Sequence, residues 1–512
     1  MKTSVHGKIC KKLTKNLSQH CLLSRSLGFI GEKPNKILRQ EGEIHMRKVT
    51  RILAVLMVLC MAVTIFAGCN NNTSSTASGN SSAGGSDVKE IYFLNFKPEI
   101  SEKYDAIAKE YEKEKGVKVK VVTAASGEYE KTLTSEIAKS NPPTIFQING
   151  PVGYQNWKDY SANLKDTELY KMLTEENKGL AVTDGDGVYG IPYAIEGYGI
   201  IYNNAIMDKY FASKNKGTDF TSVDEITNFA ALQAVVEDMT KLKDELGIKG
   251  VFGSTSMSEG NQWRWQTHLA NIPLYYEFKE DKNYDNPILA GLNSKEITFK
   301  YNKEYQNIFD LYINNSVTDK NLLSSKTVDD SMNEFALGQC AMIQNGNWGW
   351  NTVKATKGNV AKAEDVKFLP IYTGMKGEET QGICIGTENY FAINSQVDEA
   401  TQKASIDFLV WLFSSDYGKK TVTNDLGFIT PFNTFTEADQ PDDPLAKEVI
   451  AWKAKESGDI HNLEWLFTAF PSEQFKNDMG AALLEYVQGQ KDWEGVTQVV
   501  IDSWAAEKAA TA

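Results

Sequence analysis

The sequence predicts an α/β protein divided into at least two domains, and three observations carry that expectation. Val88–Leu94 reads as a strand, Ile100–Lys115 places Tyr104, Ile107, Ala108 and Tyr111 at helical spacing, and Val117–Val122 is again extended. A strand, a helix and a strand within about 35 residues open a parallel α/β sheet. A chain of 512 residues with 41% hydrophobic content buries a large core and divides. Finally, Phe335–Trp350, FALGQCAMIQNGNWGW, sets a short buried strand at Cys340–Ile343 against the turn residues Asn345–Asn347 and two tryptophans, Trp348 and Trp350. Loops at the carboxyl ends of strands in open α/β sheets hold ligands, so these indoles either line a cleft or fill core volume.

The front of the chain differs from the rest. Residues 1–68 hold 12 Lys+Arg against 3 Asp+Glu, a net of +9, so the remaining 444 residues carry −22 of the whole-chain −13. From Met46 a basic start with Arg47, Lys48 and Arg51 leads into the apolar run Ile52–Ala67, which is a secretion signal in layout. That run of 16 residues is shorter than the roughly 20 of a permanent membrane helix. Its ending Phe66-Ala67-Gly68-Cys69 resembles the lipobox of bacterial lipoproteins, which implies lipidation of Cys69. Residues 1–45 have no signal character and are expected to be a mis-assigned N-terminal extension, 46–68 the signal peptide, and 69–87 the lipidated cysteine with a polar, flexible tether. The expected location is extracytoplasmic, anchored to the cell membrane by lipid.

In the body, a helix is expected over Glu128–Lys139, a strand over Thr144–Ile148 and a loop from Asn149 to Tyr154. Asp184-Gly185-Asp186-Gly187 reads as a hairpin turn, since Asp-Gly pairs supply positive φ and the later acidic ligand of a calcium loop is missing. A helix over Val223–Leu246, a strand over Gly250–Gly253, a helix opened by Trp263 and Trp265 within Ser258–Ala270, and a helix over Glu399–Phe413 follow.

Composition excludes several functions. The acidic body has no basic stripe able to neutralise phosphates, so no nucleic-acid partner is expected. Without a Cys-x-x-Cys pair and with scattered histidines, no metal and no cofactor are expected. Of the cysteines only Cys340 and Cys384 fall in the body, and the sequence leaves open whether they pair.

The segments IYFLNFKPEISEKYDAIAKEYEKEKGVKVKVV, PPTIFQING, VYGIPYAIEGYGIIYNNAIMDKY and AMIQNGNWGW resemble, in that order, the extracellular solute-binding proteins of ABC importers, family 1, and especially their maltose-binding, sugar-binding branch. The resemblance implies a two-lobe periplasmic-binding-protein (Venus flytrap) fold, two α/β lobes joined by crossing hinge strands. Lobe 1 would comprise residues 88–193 and 388–424, lobe 2 residues 194–387 and 425–512, with crossings in Tyr189–Asn203, Thr387–Asn394 and Leu426–Phe432. It also implies a monomer that is not an enzyme and that delivers a sugar, an oligosaccharide, to membrane ABC permease subunits.

A pyranose offers apolar C–H faces and a rim of hydroxyls, so it asks for aromatic platforms beside charged and amide groups. By the resemblance, Trp348 is the stacking aromatic, Glu196 a hydroxyl-accepting carboxylate and Asn149 the amide in a position where relatives use aspartate. Trp263 and Trp265 are candidate platforms. Trp350, Tyr198, Tyr154, Lys97, Glu99 and Glu128 are candidate contacts with equally good readings as core or surface residues. Two other readings are a secreted glycoside hydrolase, for which no acid and nucleophile pair is recognisable, and the same fold binding a non-sugar solute.

Overall fold

The computed structural model of the protein describes residues 90–125 and 127–510, within the single unit Gly84–Ala512. The expected extension, signal, Cys69 and tether lie outside the described residues, as do the first residues of the opening strand.

Two sheets organise the chain. The first has the order β2-β1-β3-β10-β5-β4, built from β1 (Glu90–Asn95), β2 (Lys118–Thr123), β3 (Ile145–Ile148), β4 (Val182–Asp184), β5 (Gly187–Pro192) and β10 (Tyr390–Ile393). β1 runs parallel to β2 and β3, whereas β10 runs antiparallel to β3 and β5. Both faces are covered, as parallel pairing demands. Ile91 and Phe93 join one core with Tyr104, Ile107 and Tyr111 of the helix Ser101–Lys115, while Tyr92 and Leu94 join another with Tyr129, Leu133 and Trp157. The strand–helix–strand opening thus follows from period-2 and period-3.6 apolar patterns that agree on one fold. The helix over 128–139 is observed as Tyr129–Ile137, and the Asp-Gly segment closes the β4–β5 hairpin.

The second sheet has the order β11-β9-β6-β7, with β8 also on β6. It comprises β6 (Glu196–Asn203), β7 (Met342–Gly346), β8 (Val366–Leu369), β9 (Gln381–Gly386) and β11 (His461–Glu464). β7 starts later than the expected Cys340–Ile343 strand, and the buried Cys340 and Ala341 lead into it. The C-terminal helices Glu473–Val487 and Trp493–Ala510 close the larger core of this lobe through Phe475, Met479, Val500 and Trp504.

Two short segments, Tyr193–Ile195 and Thr387–Asn389, connect the sheets. They lie side by side, because Glu196 pairs with Gly386 where both chains enter the second sheet. The third passage comes later than residue 425: Leu426, Phe428 and Phe432 are buried in the core of the first lobe, and Ile195 bridges Ile429. Only with the helix Pro444–Ala454, whose Leu445 and Val449 face the second sheet, has the chain left that lobe.

Three local expectations are corrected. The helix over 223–246 is a 3₁₀ turn at Val223–Glu225, a helix at Phe229–Lys241 capped by the Asn228 side chain, and a turn at Lys243–Leu246. Residues 250–253 form isolated bridges rather than a strand, Phe252 bridging Ser316 and Met342 with backbone hydrogen bonds of Val251 and Gly253 alongside. The segment with the paired tryptophans is a π-helix, Arg264–Leu269, running into the helix Asn271–Lys279. Cys340 and Cys384 are both free and buried in different cores.

Candidate functional site

The site forms where the carboxyl ends of β1 and β3 in the first lobe meet the second lobe. Beyond β1 the chain turns on Asn95, whose Oδ1 accepts from Lys97 N at 3.1 Å and whose Nδ2 donates to Lys97 O at 2.7 Å. This turn aims Lys97 across the cleft, where its Nζ lies 2.7 Å from Glu196 Oε1 at the start of β6 and 3.9 Å from Glu99. Burial alone would lower the Lys97 pKa, but Glu196, Glu99 and Glu388 outweigh it and hold the ammonium above its ordinary value. Burial pushes Glu99 up despite Lys97. Glu388, between Thr387 and Asn389 on the second connecting segment, is pushed up to about 7 by burial and by the negative charges of Glu196 and Glu99.

The opposite wall is aromatic. Asn347 locks the NGNW turn onto β6, its Oδ1 accepting from Gly197 N at 2.9 Å and its N–H donating to Gly197 O at 3.0 Å. The Trp348 ring then folds back over Gly346, where a Cβ would lie 2.1 Å from the indole, so only glycine fits. Trp348 stacks on Trp465 with centroids 5.9 Å apart and meets Trp263 at 6.2 Å and His268 at 5.5 Å. Lys97 Nζ reaches over the same ring, 5.6 Å from its centroid.

Trp263 and His268 are delivered by the π-helix, a distortion that recurs at functional sites. Arg264 anchors it, donating to Gln344 O at 3.0 Å, Ser256 Oγ at 2.7 Å and Ser331 Oγ at 2.8 Å, while burial lowers its pKa to about 9. Burial holds His268 near 3, helped by the charges of Arg264 and Lys97, so the imidazole is neutral. Its Nδ1 lies 3.4 Å from Thr267 Oγ1, whose own hydroxyl donates to Trp263 O. Nδ1 therefore carries the proton and Nε2 is an acceptor, with no partner among the described residues. Thr387 Oγ1, both side-chain polar atoms of Asn389, and Trp465 Nε1 are likewise buried and unpartnered among the described residues.

Also between the lobes, Glu130, Asn149 and Asn156 line a small cavity with Phe467, Phe470, Glu473 and Lys476. The lobes are pressed together here, since a Cβ on Gly150 would lie 2.5 Å from Thr468 Cγ2.

Of the residues singled out by sequence, Trp348, Trp263, Glu196, Lys97 and Glu99 come together, and Asn149 lines the adjoining cavity. Others lie elsewhere. Trp265 is a core residue, its Nε1 donating to Ser256 O at 2.8 Å and its ring packed on Phe309 and Tyr312. Trp350 is buried with Met332, Phe335 and Val353. Tyr198 is buried with its hydroxyl donating to His268 O at 3.2 Å, so it backs the wall. Tyr154 stacks on Tyr189 and donates to Asp184, while Glu128 pairs with Lys131 on the surface. Sequence reasoning missed Trp465, His268 and Glu388. Trp465 follows HNLE, whose only apolar residue is Leu463, so no apolar run announced its strand, whereas Glu388 sat inside an expected crossing.

Residues 106–449 match the family model of the bacterial extracellular solute-binding proteins. No curated protein matches the chain at the sequence level. Among solved structures, a solute-binding protein in complex with raffinose is similar at TM-score 0.61 and 18% identity, covering 82% of this chain and 99% of that one. A chitin oligosaccharide binding protein is similar at TM-score 0.61 and 16% identity, covering 83% and 100%. A Bacillus licheniformis sugar transporter in complex with stachyose is similar at TM-score 0.61 and 15% identity, covering 82% and 100%. These likenesses establish the two-lobe periplasmic-binding-protein fold, whose members in this family are extracytoplasmic binding proteins. With two thirds of its length under the family model, this chain belongs to the bacterial extracellular solute-binding protein family.

Proposed function

We propose that the protein is the substrate-binding lipoprotein of an ABC importer, capturing an extracellular oligosaccharide between its lobes and delivering it to a membrane permease. The observation that carries this reading is the facing of the Trp348, Trp263 and Trp465 wall by Lys97, Glu99 and Glu196. Flat apolar rings suit sugar faces, and the charged groups suit hydroxyls by charge-assisted hydrogen bonds. The sugars in the similar structures, raffinose, chitin oligosaccharide and stachyose, support the same class. Trp348 and Trp263 act as platforms, and Glu196, Lys97 and Asn149 read hydroxyls. Binding needs the lobes to part and close again, a ligand-driven population shift that requires no catalytic group.

The protein works as a monomer and is anchored by lipid on Cys69, with 69–87 as tether. Among the described residues no helix is long and apolar enough to cross a membrane. Isothermal titration against a panel of neutral oligosaccharides tests the ligand class: failure of every sugar to bind more tightly than millimolar overturns it. Unchanged chromatograms after long incubation with the bound sugar are expected, and released products would instead mark a hydrolase. Cys69→Ser is expected to abolish incorporation of labelled palmitate in the producing cell.

A further inference from the structure

Among the described residues the space between the lobes gathers more carboxylates than ammonium groups, with the Arg264 guanidinium buried behind Trp263. Around the aromatic wall Glu99, Glu196 and Glu388 gather at the ammonium of Lys97, which lies closest to Glu196, and Lys476 also acts on Glu388. Across the adjoining cavity Glu130 and Glu473 share Lys476. Among the described residues Glu99, Glu196, Glu388 and Glu130 thus lie between the lobes with Lys97 and Lys476, while Glu473 reaches the solvent-exposed rim, and excess negative charge is costly wherever closure shields it from water.

Independent of these charges, His268 stands among the indoles of Trp263, Trp348 and Trp465, with ring centroids at 5.1, 5.5 and 5.1 Å. It is 4% exposed, and its unpartnered Nε2 is an acceptor. Asn389, 2% exposed and next to Glu388, offers a further carbonyl without a partner among the described residues. An ammonium has three donors and no acceptor, and indole faces attract it as well.

Resting on the sugar reading above, we propose that the captured oligosaccharide carries protonated amino groups, as in a glucosamine oligomer. Its ammonium would sit toward Glu388, Glu99 and the Trp348 wall, adding a cation where carboxylates are in excess. Uronate or phosphorylated sugars are rejected by the same carboxylates.

Titration calorimetry at neutral pH on the full-length protein in detergent, using a glucosamine oligomer, its fully N-acetylated counterpart and a galacturonate oligomer of equal length, tests this. The glucosamine oligomer is expected to bind about tenfold or more tightly than the N-acetylated one, the worth of one charge-assisted hydrogen bond, with the galacturonate weakest. In Glu388→Gln the ratio of the two affinities is expected to shrink to about threefold or less, with the far-ultraviolet circular dichroism and the melting transition of the variant showing that it is folded. Equal or tighter binding of the N-acetylated oligomer, or an advantage that survives Glu388→Gln, overturns the proposal. Binding of neutral oligosaccharides without any glucosamine binding overturns it while leaving the sugar reading standing. If no saccharide binds at all, the sugar reading itself falls.

Discussion

Trp263 and Trp265 are two residues apart, and the sequence alone could not separate them. In any helix, positions i and i+2 face away from each other, so one ring reaches the cleft only if the other enters the core. Here Trp263 meets Trp348, while Trp265 packs on Tyr312 with its N–H satisfied. Trp348→Ala is therefore expected to weaken sugar binding by about tenfold to a hundredfold with little loss of stability, read by calorimetry and thermal melting. Trp265→Ala should instead cost about 3–5 kcal/mol of stability in denaturant titration, as core truncations do. Glu388 gives a pH signature. Its pKa of about 7 lies above that of an ordinary carboxylate, so its contribution to stability is present in acid and lost as pH rises from about 4.5 through 7. The melting temperature of the ligand-free protein should fall more between pH 6 and pH 8 than that of Glu388→Gln.

At the scale of elements, the decisive pieces are the NGNW turn, the π-helix and the start of the helix Gly150–Trp157. The turn was legible because Asn and Gly announce it and Gly346 leaves room for the indole. The π-helix was not, because it depends on Arg264 reaching Gln344, Ser256 and Ser331 from distant parts of the chain. Gly150 shows how close the elements of opposite lobes come. It holds φ at +68°, and any Cβ would press on Thr468. Gly150→Ala should wedge the lobes apart and lower sugar affinity about tenfold, and Thr468→Gly in the same background should restore part of it. No recovery in the double variant would assign the loss to backbone strain alone.

Across the whole molecule, the Lys97–Glu196 pair links the first lobe to the second and is almost fully buried. Removing one partner of a buried pair typically costs about 3–5 kcal/mol, because the other charge is left dry. In a hinged molecule that charge can regain water by opening, so Lys97→Met should raise the open population rather than unfold the protein. A larger radius of gyration in small-angle scattering, reversed by saturating sugar, is the expected result; an unchanged radius with a lower melting temperature would assign the pair to folding. The hinge itself is short. The connecting segments 193–195 and 387–389 lie side by side, which suits a bending motion about one edge of the cleft.

Local pattern determined a good deal by itself. Apolar periodicity marked the α/β class, the opening strand–helix–strand and the Asp-Gly hairpin, because these depend on residues close in sequence. Motif order pointed to the family, and the strand ending in NGNW pointed to Trp348. Tertiary structure decided which aromatics share a wall, since Trp465 comes over a hundred residues after Trp348, and that Trp350 and Trp265 belong to cores. It also decided that residues 426–432 stay with the first lobe, because burial against Phe391 and Phe413 outweighs sequence position. The charge balance of the cleft became countable only once Glu99, Glu196 and Glu388 were gathered around Lys97 from three separate stretches of chain, because electrostatic interaction depends on distance in space and on burial rather than on order in the sequence.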